Sequence, residues 1–382
     1  MGADQADLKL GIVCYPTVGG SGVVATEIAL DAARRGCEVH LICYDRPARL
    51  ERPVPGLRLH SVQVAAYPLF RYPPYALALA TRILEVQEEH GVDLFHVHYA
   101  IPHAVSAFLA DQMSSRPLRW ITTLHGTDIT VVGTDRAYMR PTSFALEQST
   151  ALTAVSQYLA DETMLTFGSK KPIEVIPNFV DTERFRPGGG KRFSGRPDEE
   201  RHIVHASNLR PVKRVADVVR AFAQIAREVP ARLFLAGDGP DKDHAAAVAD
   251  DLGVRDRVEV LGSLDGDRLA DLLADADLFL SASETESFGL SMLEAMSCGV
   301  PCVSTDVGGV SEVFGDVGAL VPLSNPEAMA RASLEILRDP ETHRSACESA
   351  RRRAVGHFSR EVVIERYIDL YRRTLQPSDG LK

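Results

Sequence analysis

Hydrophobic positions in this chain form short apolar runs that alternate with longer segments of helical periodicity, from one end to the other. The runs in the first half predict strands at residues 8–15, 38–44, 57–62, 94–98, 120–124 and 151–154, with helices between them, notably at 24–35 and 75–90. Those in the second half predict strands at residues 203–206, 233–237, 258–261, 278–281, 301–304 and 319–321. This alternation is typical of buried parallel strands in βαβ units, so the predicted fold class is α/β.

Residues 177–201, between the two series, are rich in proline, glycine and charge and predict an interdomain linker. A chain of 382 residues also exceeds the size at which a single core usually stops growing. We predict Rossmann-like domains at residues 1–186 and 187–358, followed by a helix and tail at 359–382 that can pack back on the first domain. Because ligands bind at the carboxyl ends of parallel strands, functional residues are expected in strand-to-helix loops facing a central cleft.

Charge and cysteine content narrow the class of function. A net charge of -10 argues against a nucleic-acid partner, whose footprint is a clustered basic surface. Six cysteines without a C-x-x-C pair fit reduced thiols. The sequence shows neither a secretory signal nor an apolar run of the roughly 18 residues that span a membrane. We expect a cytoplasmic protein with no transmembrane segment; a homodimer is compatible with the sequence, which does not fix the oligomeric state.

A glycine-rich loop follows the first predicted strand. Gly19, Gly20 and Gly22 allow a ligand to approach the backbone closely, and the helix start offers N–H groups to an anion. Residues 20–25 also match the dinucleotide pattern G-x-G-x-x-A, and Asp45 stands where a ribose-binding acid would. An NAD-dependent enzyme and a purely structural tight turn are therefore alternatives at this loop.

Histidines cluster at the ends of the fourth and fifth predicted strands. Strand alternation puts His96 and His98 on one face and Tyr99 on the other. A zinc site needs three or four convergent ligands, and no Cys or Glu is spaced to complete a set here, so we predict no metal at this cluster. His125 is placed to donate a hydrogen bond into the cleft, and the alternative is a capping or core histidine.

Three cations, Arg210, Lys213 and Arg214, stand where a strand gives way to a helix in the second domain, with Asn208 just before them. Cations at a helix N-terminus oppose the helix dipole unless an anion lies among them, so a phosphate is the natural ligand. The alternative is a solvated charged turn. Two further strand-end turns are placed to border a base or a ribose: residues 236–240 and Gly262-Ser263.

The segment 284–294 follows a predicted strand and opens a helix. Gly289 lies at the turn, and the amides of Phe288, Gly289 and Leu290 can point at a ligand. Glu286 precedes the helix and Glu294 lies about a turn and a half inside it, so the two carboxylates can address different parts of one elongated ligand such as a sugar and a ribose. Alternatively, Glu286 is a helix N-terminal acid and Glu294 a solvated one.

These motifs resemble those of retaining glycosyltransferase family 4, which has the GT-B fold of two Rossmann-like domains around a central cleft, and the resemblance covers nearly the whole chain. The family's E-x7-E motif is similar to Glu286–Glu294, its phosphate-binding lysine to Lys213, and its G-x-G-P turn to residues 237–240. The first half resembles members that transfer N-acetylglucosamine from UDP-N-acetylglucosamine to L-malate, the first step of bacillithiol biosynthesis. The phrases that carry this match are residues 14–27, 71–75, 98–104, 122–130 and 207–214.

The resemblance implies a role for each matching position. Glu294 would bind the uridine ribose, Glu286 the donor sugar, and Lys213 with Asn208 the diphosphate, with His125 near the anomeric centre. Many family members have arginine where Asn208 stands, so Arg210 or Arg214 would supply part of the missing charge. The remaining donor positions implied are Gly20, Gly262, Ser263, Phe288, Gly289 and Leu290, and the acceptor positions are Ser21, Arg71, Tyr99 and Thr123.

One position departs from this pattern. The similar family members carry an arginine for the acceptor carboxylate where this chain has Ser143, and the nearest basic residue is Arg140. Either Arg140 reaches the same carboxylate, because residues three apart share a helix face, or the acceptor is a different or less acidic alcohol. We favour the first, since Arg71 remains.

The resemblance implies front-face attack, with no protein nucleophile, no cofactor and no metal. A D-x-D sequence, Asp275-Ala-Asp277, falls at the opposite edge from the cleft and is assigned no metal. Three alternatives stay open: a family member with another acceptor such as inositol phosphate, a lipid or a sugar; an NAD-dependent Rossmann enzyme; and a sugar-binding protein without catalysis.

Overall fold

The structure, a computed structural model, describes residues 8–17, 20–50, 52–65, 68–69, 71–188 and 199–376. The chain forms two compact units, residues 1–177 with 364–382 and residues 178–363. The sequence predicts domain ends at residues 186 and 358, whereas the compact units of the structure end at residues 177 and 363. Gly19 of the predicted glycine loop and part of the predicted linker lie outside the described residues.

The first unit is a seven-stranded parallel sheet in the order β3-β2-β1-β4-β5-β6-β7. Its strands are β1 Lys9–Val13, β2 Glu38–Cys43, β3 Leu57–Ser61, β4 Leu94–His98, β5 Trp120–Leu124, β6 Ala151–Ala154 and β7 Ile173–Val175. Its helices are α1 Ser21–Arg34, α2 Tyr75–His90, α3 Val105–Met113, α4 Met139–Gln148 and α5 Gln157–Phe167, with short irregular turns at Ala100–Ala104 and Thr127–Val131. Strands β4 and β5 are buried at every residue, as their continuous apolar runs predict.

The second unit is a six-stranded parallel sheet in the order β10-β9-β8-β11-β12-β13. Its strands are β8 Arg201–Ala206, β9 Ala231–Ala236, β10 Val258–Gly262, β11 Leu278–Ser281, β12 Cys302–Thr305 and β13 Ala319–Val321. Its helices are α6 Val215–Glu228, α7 Lys242–Asp251, α8 Gly266–Ala274, α9 Leu290–Ser297, α10 Val310–Phe314, α11 Pro326–Leu337 and α12 Pro340–Phe358. The α/β class and the two Rossmann-like halves are thereby confirmed.

Part of the predicted linker is packed structure. Phe179, Val180 and Phe185 are buried in the second unit, and the Ser297 hydroxyl donates to the Phe185 carbonyl at 2.6 Å. Val180 also pairs with Ser359 as a short parallel bridge. The proline and charged residues of this segment therefore form a turn-rich connection, while its few apolar residues pack in the core of the second unit.

The last helix, α13 Arg360–Leu375, begins in the second unit and continues into the first. Tyr367 and Tyr371 on this helix are fully buried, and the Tyr371 hydroxyl lies 2.7 Å from His96 Nδ1 on β4. From the sequence, a charged helix with one apolar face can pack on either domain. Residues 364–382 belong to the first unit. Within the described residues, no helix is both long enough and apolar enough to cross a membrane.

Candidate functional site

In the first unit, the helix start after β1 meets the end of β4. Ser21 is the first residue of α1 and is nearly buried, and its Oγ lies 2.6 Å from the Tyr99 hydroxyl. Tyr99 follows β4 with a φ of 87°, a value that turns the chain abruptly out of the strand. The structure thus joins two predicted acceptor residues at the carboxyl ends of neighbouring strands, where α/β folds bind ligands.

A buried carboxylate holds the loop that carries His125. Asp128 accepts hydrogen bonds from the amides of Ala100, His125 and Gly126 at 2.9, 3.2 and 3.0 Å. Burial nevertheless raises the Asp128 pKa to about 6 against the lowering effect of those amides. Asp128 ties the loop after β5 to the segment after β4, so His125 is fixed relative to Tyr99.

His125 is also fixed through its ring. Its Nε2 lies 2.8 Å from His98 Nδ1, so one of these nitrogens donates to the other. Burial, with a smaller contribution from His103, lowers the His125 pKa to about 3, and burial lowers the His98 pKa well below its usual value. Both rings are neutral near neutral pH, so His125 offers a hydrogen bond to a ligand rather than a positive charge.

Thr123, a predicted acceptor residue, is placed differently. Its side chain is fully buried in β5, with Oγ1 2.6 Å from both His96 Nε2 and Thr153 Oγ1. A hydroxyl engaged in this way supports the sheet beneath His125 and has little capacity left for a ligand. The contact between Thr123 and His96 across β5 and β4 follows from parallel register, which a single-strand pattern does not give.

The predicted acceptor arginines are exposed. Arg71 lies in a bend before α2, with its guanidinium 5.4 Å from the Tyr72 ring centre. Arg140 is the second residue of α4, and Ser143 on the same helix is half-buried. Among the described residues Arg140 has no ion-pair partner, which leaves its guanidinium available to a ligand.

Gly20, a predicted donor residue, precedes α1 with a φ of 62°, a conformation that favours glycine, and a Cβ there would meet open space.

In the second unit, Lys213 and Glu286 form an ion pair of 2.5 Å between Nζ and Oε2. A backbone contact brings their loops together, since the Glu284 amide donates to the Val212 carbonyl at 2.8 Å. The Gly309 amide donates to the Glu286 carbonyl at 2.9 Å and so holds the Glu286 backbone. Both side chains are about one-fifth exposed, so each can also reach a ligand. Two motifs that are 73 residues apart in sequence therefore form one site.

The three predicted phosphate cations are not equivalent. Arg214 immediately precedes α6 in a left-handed conformation, and its guanidinium pairs with Asp217 Oδ2 at 2.6 Å. Asp217 lies in the first turn of α6, so it relieves part of the conflict with the helix dipole that the sequence suggests. When the Asn208 side-chain amide is oriented with its oxygen toward Arg210, that oxygen accepts hydrogen bonds from Arg210 Nη2 and Nε at 3.1 and 3.0 Å. Lys213 and Arg210 thus remain as candidates for an anion.

The helix start of α9 is open to an anion or a hydroxyl group. Gly289 precedes the helix with a φ of 96°, and among the described residues no side-chain hydrogen bond caps the helix start. A Cβ at Gly289 would come within 2.2 Å of Met292 Cε, the flexible end of that side chain, so the left-handed backbone conformation is what favours glycine here. Phe288 is buried and packs edge-on against Phe358, while the amides from Phe288 to Leu290 begin the helix. This fits the predicted role of the helix start in holding a ligand.

Glu294 is buried one turn into α9. Burial raises the Glu294 pKa to about 8, and the nearby charge of Arg184 opposes this shift. An alternative in which Glu294 is a solvated acid is therefore wrong. Gly262 and Ser263, the other predicted donor positions, end β10, where a Cβ at Gly262 would meet open space and Ser263 is exposed.

The Glu294 pKa predicts a pH dependence of stability. Because the folded-state pKa of about 8 exceeds the unfolded value of about 4.3, the folded protein holds the extra proton between them. This contribution is fully present below about pH 4.3 and is lost as the pH rises through about 8, by at most about 1.4 kcal/mol per pH unit. We expect Glu294→Gln to flatten the fall in the free energy of unfolding between about pH 6 and 8.5, measured by denaturant titration. Exposed Glu348→Gln should leave the slope unchanged, and parallel profiles for Glu294→Gln and the wild type would contradict the assignment.

Several residues important to these sites were not assigned roles by sequence reasoning. His98 and Asp128 fix His125, and Arg184 lies near Glu294. The role of Asp128 could have been predicted from the sequence, since an Asp three residues after a strand-end histidine can accept hydrogen bonds from the backbone amides of the turn. The Asp277 of the D-x-D sequence is buried and accepts from the His202 amide at 2.8 Å at the amino end of β8, which gives it a structural role.

Comparisons with known proteins match both units. The model of Glycosyltransferase Family 4 matches residues 18–184, and that of Glycosyl transferases group 1 matches residues 191–353. The N-acetyl-alpha-D-glucosaminyl L-malate synthase of Bacillus anthracis is 44% identical over 95% of this chain and 96% of its own length. A D-inositol 3-phosphate glycosyltransferase of Kineococcus radiotolerans is 28% identical over 94% of this chain and 91% of its own. The structure of Anabaena HepE in complex with UDP and glucose has a TM-score of 0.79 at 20% identity over 96% of this chain and 99% of its own, a likeness in fold.

Proposed function

The chain belongs to glycosyltransferase family 4, and on this premise we propose that it transfers N-acetylglucosamine from UDP-N-acetylglucosamine to the hydroxyl group of L-malate with retention of anomeric configuration. The geometric observation that carries a donor site is the contact of Lys213 with Glu286 beside the open start of α9. The observation that favours malate is the 44% identity to a malate-using relative across both units. A member that takes inositol phosphate is the second candidate, favoured by the 28% identity to such an enzyme.

The donor would be held by the second unit. Lys213 and Arg210 supply positive charge for the diphosphate, and the uncapped amides at the start of α9 add hydrogen-bond donors. Glu286 accepts from sugar hydroxyls and Glu294 from the ribose. The buried Glu294 carboxyl has a raised pKa. Hydrogen bonds donated by the two ribose hydroxyl groups would favour its ionised form.

The acceptor would be held by the first unit. Ser21 and Tyr99 present hydroxyl groups, and the Tyr99 ring centre lies 5.2 Å from that of His125. The neutral His125 ring donates or accepts a hydrogen bond without adding charge. L-malate carries two carboxylates, and the exposed guanidinium groups of Arg71 and Arg140 are suited to pair with them in a bidentate manner. Thr123 supports this site from within the sheet.

The chemistry follows from charge. As the bond between the anomeric carbon and the diphosphate oxygen breaks, negative charge grows on the leaving group, and Lys213 with the helix-start amides stabilises it. The malate hydroxyl attacks from the same face and gives its proton to the leaving phosphate, so the products are UDP and N-acetylglucosaminyl malate. His125 supports the sugar as positive charge develops at the anomeric centre. No side chain forms a covalent bond in this scheme.

The alternatives from other classes lose their basis. The Gly20 loop that matches a dinucleotide pattern lies inside the segment matched by the glycosyltransferase model, so no nicotinamide binding is expected. A sugar-binding protein without catalysis would retain the nucleotide sugar and release no UDP. That the reaction needs no metal or cofactor and that the protein is cytoplasmic stay predictions, and the oligomeric state stays open.

Acceptor identity is tested by rates of UDP release from UDP-N-acetylglucosamine with different acceptors. We expect kcat/KM to be highest for L-malate, with much lower values for inositol phosphate and for uncharged alcohols such as glycerol. Faster reaction with inositol phosphate than with L-malate would overturn the acceptor while leaving the family assignment intact.

Arg140 is predicted to replace the arginine expected at Ser143. Arg140→Ala should raise the KM for L-malate by about tenfold or more and change kcat little, because a hydrogen-bonded ion pair with a charged ligand contributes about 1.5–3 kcal/mol. Steady-state kinetics with L-malate varied measures this effect, and Arg116→Ala, which removes an equally exposed guanidinium from the first unit, is the matched control. An unchanged KM for Arg140→Ala would mean that the acceptor carboxylate binds elsewhere.

A further inference from the structure

Three histidines converge in the first unit at a place that the proposed reaction does not use. They lie on three elements: His40 on β2, His60 on β3, and His90 at the last position of α2. The His40 Nδ1 and His60 Nε2 atoms are 2.9 Å apart, and one nitrogen of each of the three rings lies within 4.8 Å of the other two. Within the described part of the chain, this is the one group of three such ligands found.

The spacing of these nitrogens suits a small cation. Zinc–imidazole bonds of 2.0–2.1 Å in a tetrahedral site put two ligand nitrogens about 3.3 Å apart. The His40–His60 pair, at 2.9 Å, is already close to this value, and one nitrogen of the half-buried His90 lies within 4.8 Å of a nitrogen of each of the other two rings. The centres of the His40 and His90 rings are 4.3 Å apart, so all three rings lie close together.

The surroundings of His40 Nε2 fit those of a metal-bound histidine. His40 is fully buried, and its Nε2 has no hydrogen-bond partner among the described residues. The nearest acceptor is Glu38 Oε1 at 3.4 Å, on the same strand. If a metal binds His40 Nδ1, the ring must carry its proton on Nε2 and face a carboxylate, which is the arrangement that orients metal-bound histidines.

The three rings also offer lone pairs. A neutral imidazole binds a metal through the lone pair of one ring nitrogen. Lys9, Arg58 and Glu89 lie around the group; Lys9 and Arg58 pair with Glu38 at 3.7 and 3.6 Å. Arg58 Nη1 is 3.4 Å from His90 Nδ1, but the Arg58 side chain is 59% exposed and can turn to solvent when a cation enters.

We propose that His40, His60 and His90 bind one zinc(II) ion, with solvent as the fourth ligand. Neutral imidazoles are typical zinc ligands, and three of them leave one position open. The site joins β2, β3 and the end of α2, so the metal stabilises this side of the first unit. The Lys9 ammonium group donates to the His90 carbonyl at 2.9 Å, which places the site near the amino end of β1, whereas Tyr99 and His125 follow the carboxyl ends of β4 and β5. The metal is therefore separate from the proposed catalysis, and the proposal does not depend on the acceptor or donor.

The test is zinc binding by the full-length protein after removal of metals with a chelator. Zinc(II) is titrated against a chromophoric competitor, and cobalt(II) replaces it to give a visible absorption band whose intensity reports coordination geometry. We expect one high-affinity equivalent, a tetrahedral cobalt spectrum, and a rise in Tm of about 5 °C when free zinc is about 100 times Kd.

Variants locate the metal. His60→Gln and His90→Gln should each weaken zinc binding by at least about tenfold and remove the rise in Tm, whereas His244→Gln, at an exposed position of α7, should change neither. The two ligand variants alter different elements, and circular dichroism checks that each is folded, so loss of one variant to misfolding leaves the other. Absence of zinc binding in the wild type, or equal binding by both ligand variants and the wild type, would overturn the proposal.

Discussion

Replacing Lys213 with alanine is expected to lower kcat by about 100-fold or more. The Nζ of Lys213 is the cationic group nearest Glu286, at 2.5 Å, and is proposed to stabilise the diphosphate charge that grows as the glycosidic bond breaks. Removing one such preorganised donor typically reduces kcat by about 100- to 1,000-fold. Because both side chains are partly exposed, the fold should survive the change.

The measurement for Lys213→Ala is the rate of UDP release at saturating UDP-N-acetylglucosamine and L-malate. Lys170→Ala is the matched control, since it removes an exposed lysine from the first unit without touching the proposed donor site. Lys213→Arg keeps the charge and should recover part of the rate. Near-normal kcat for Lys213→Ala in a folded protein would refute the role of this residue.

Glu286→Gln is expected to reduce kcat to a similar degree, by about 100-fold. The substitution keeps the shape of the side chain but removes the charge that holds Lys213 and that would accept from the sugar hydroxyls. If the two residues act as one unit, the double variant Lys213→Ala with Glu286→Gln should lose less activity than the product of the two single losses. Fully multiplicative losses would show that the contact between the two side chains is irrelevant to catalysis. Glu284→Gln, on the exposed residue at the start of the same segment, is the control.

The alternation of apolar runs and helices was sufficient to predict both sheets. The twelve predicted strands all correspond to observed ones; β7 was missed because three residues at a sheet edge, none of them fully buried, leave no readable run. The Lys213 and Glu286 motifs were readable because each lies directly after a strand, where the topology of a parallel sheet brings loops together.

The contacts of individual side chains could not be predicted from the sequence in the same way. The hydroxyl of Thr123 faces His96 on the neighbouring strand, so its burial depends on register between strands and not on its own loop. The pairing of Arg214 with Asp217 was within reach, because residues three apart on a helix are neighbours. The group of His40, His60 and His90 has no regular spacing in sequence and appears only when two strands and a helix end are packed together.

The most direct test of the proposed function is UDP release from UDP-N-acetylglucosamine in the presence and absence of L-malate, with NMR analysis of the product. We predict that UDP release depends on L-malate and that the product is N-acetylglucosaminyl malate with the α configuration of the donor retained. UDP release that is independent of L-malate, no release at all, or a β-configured product would contradict it.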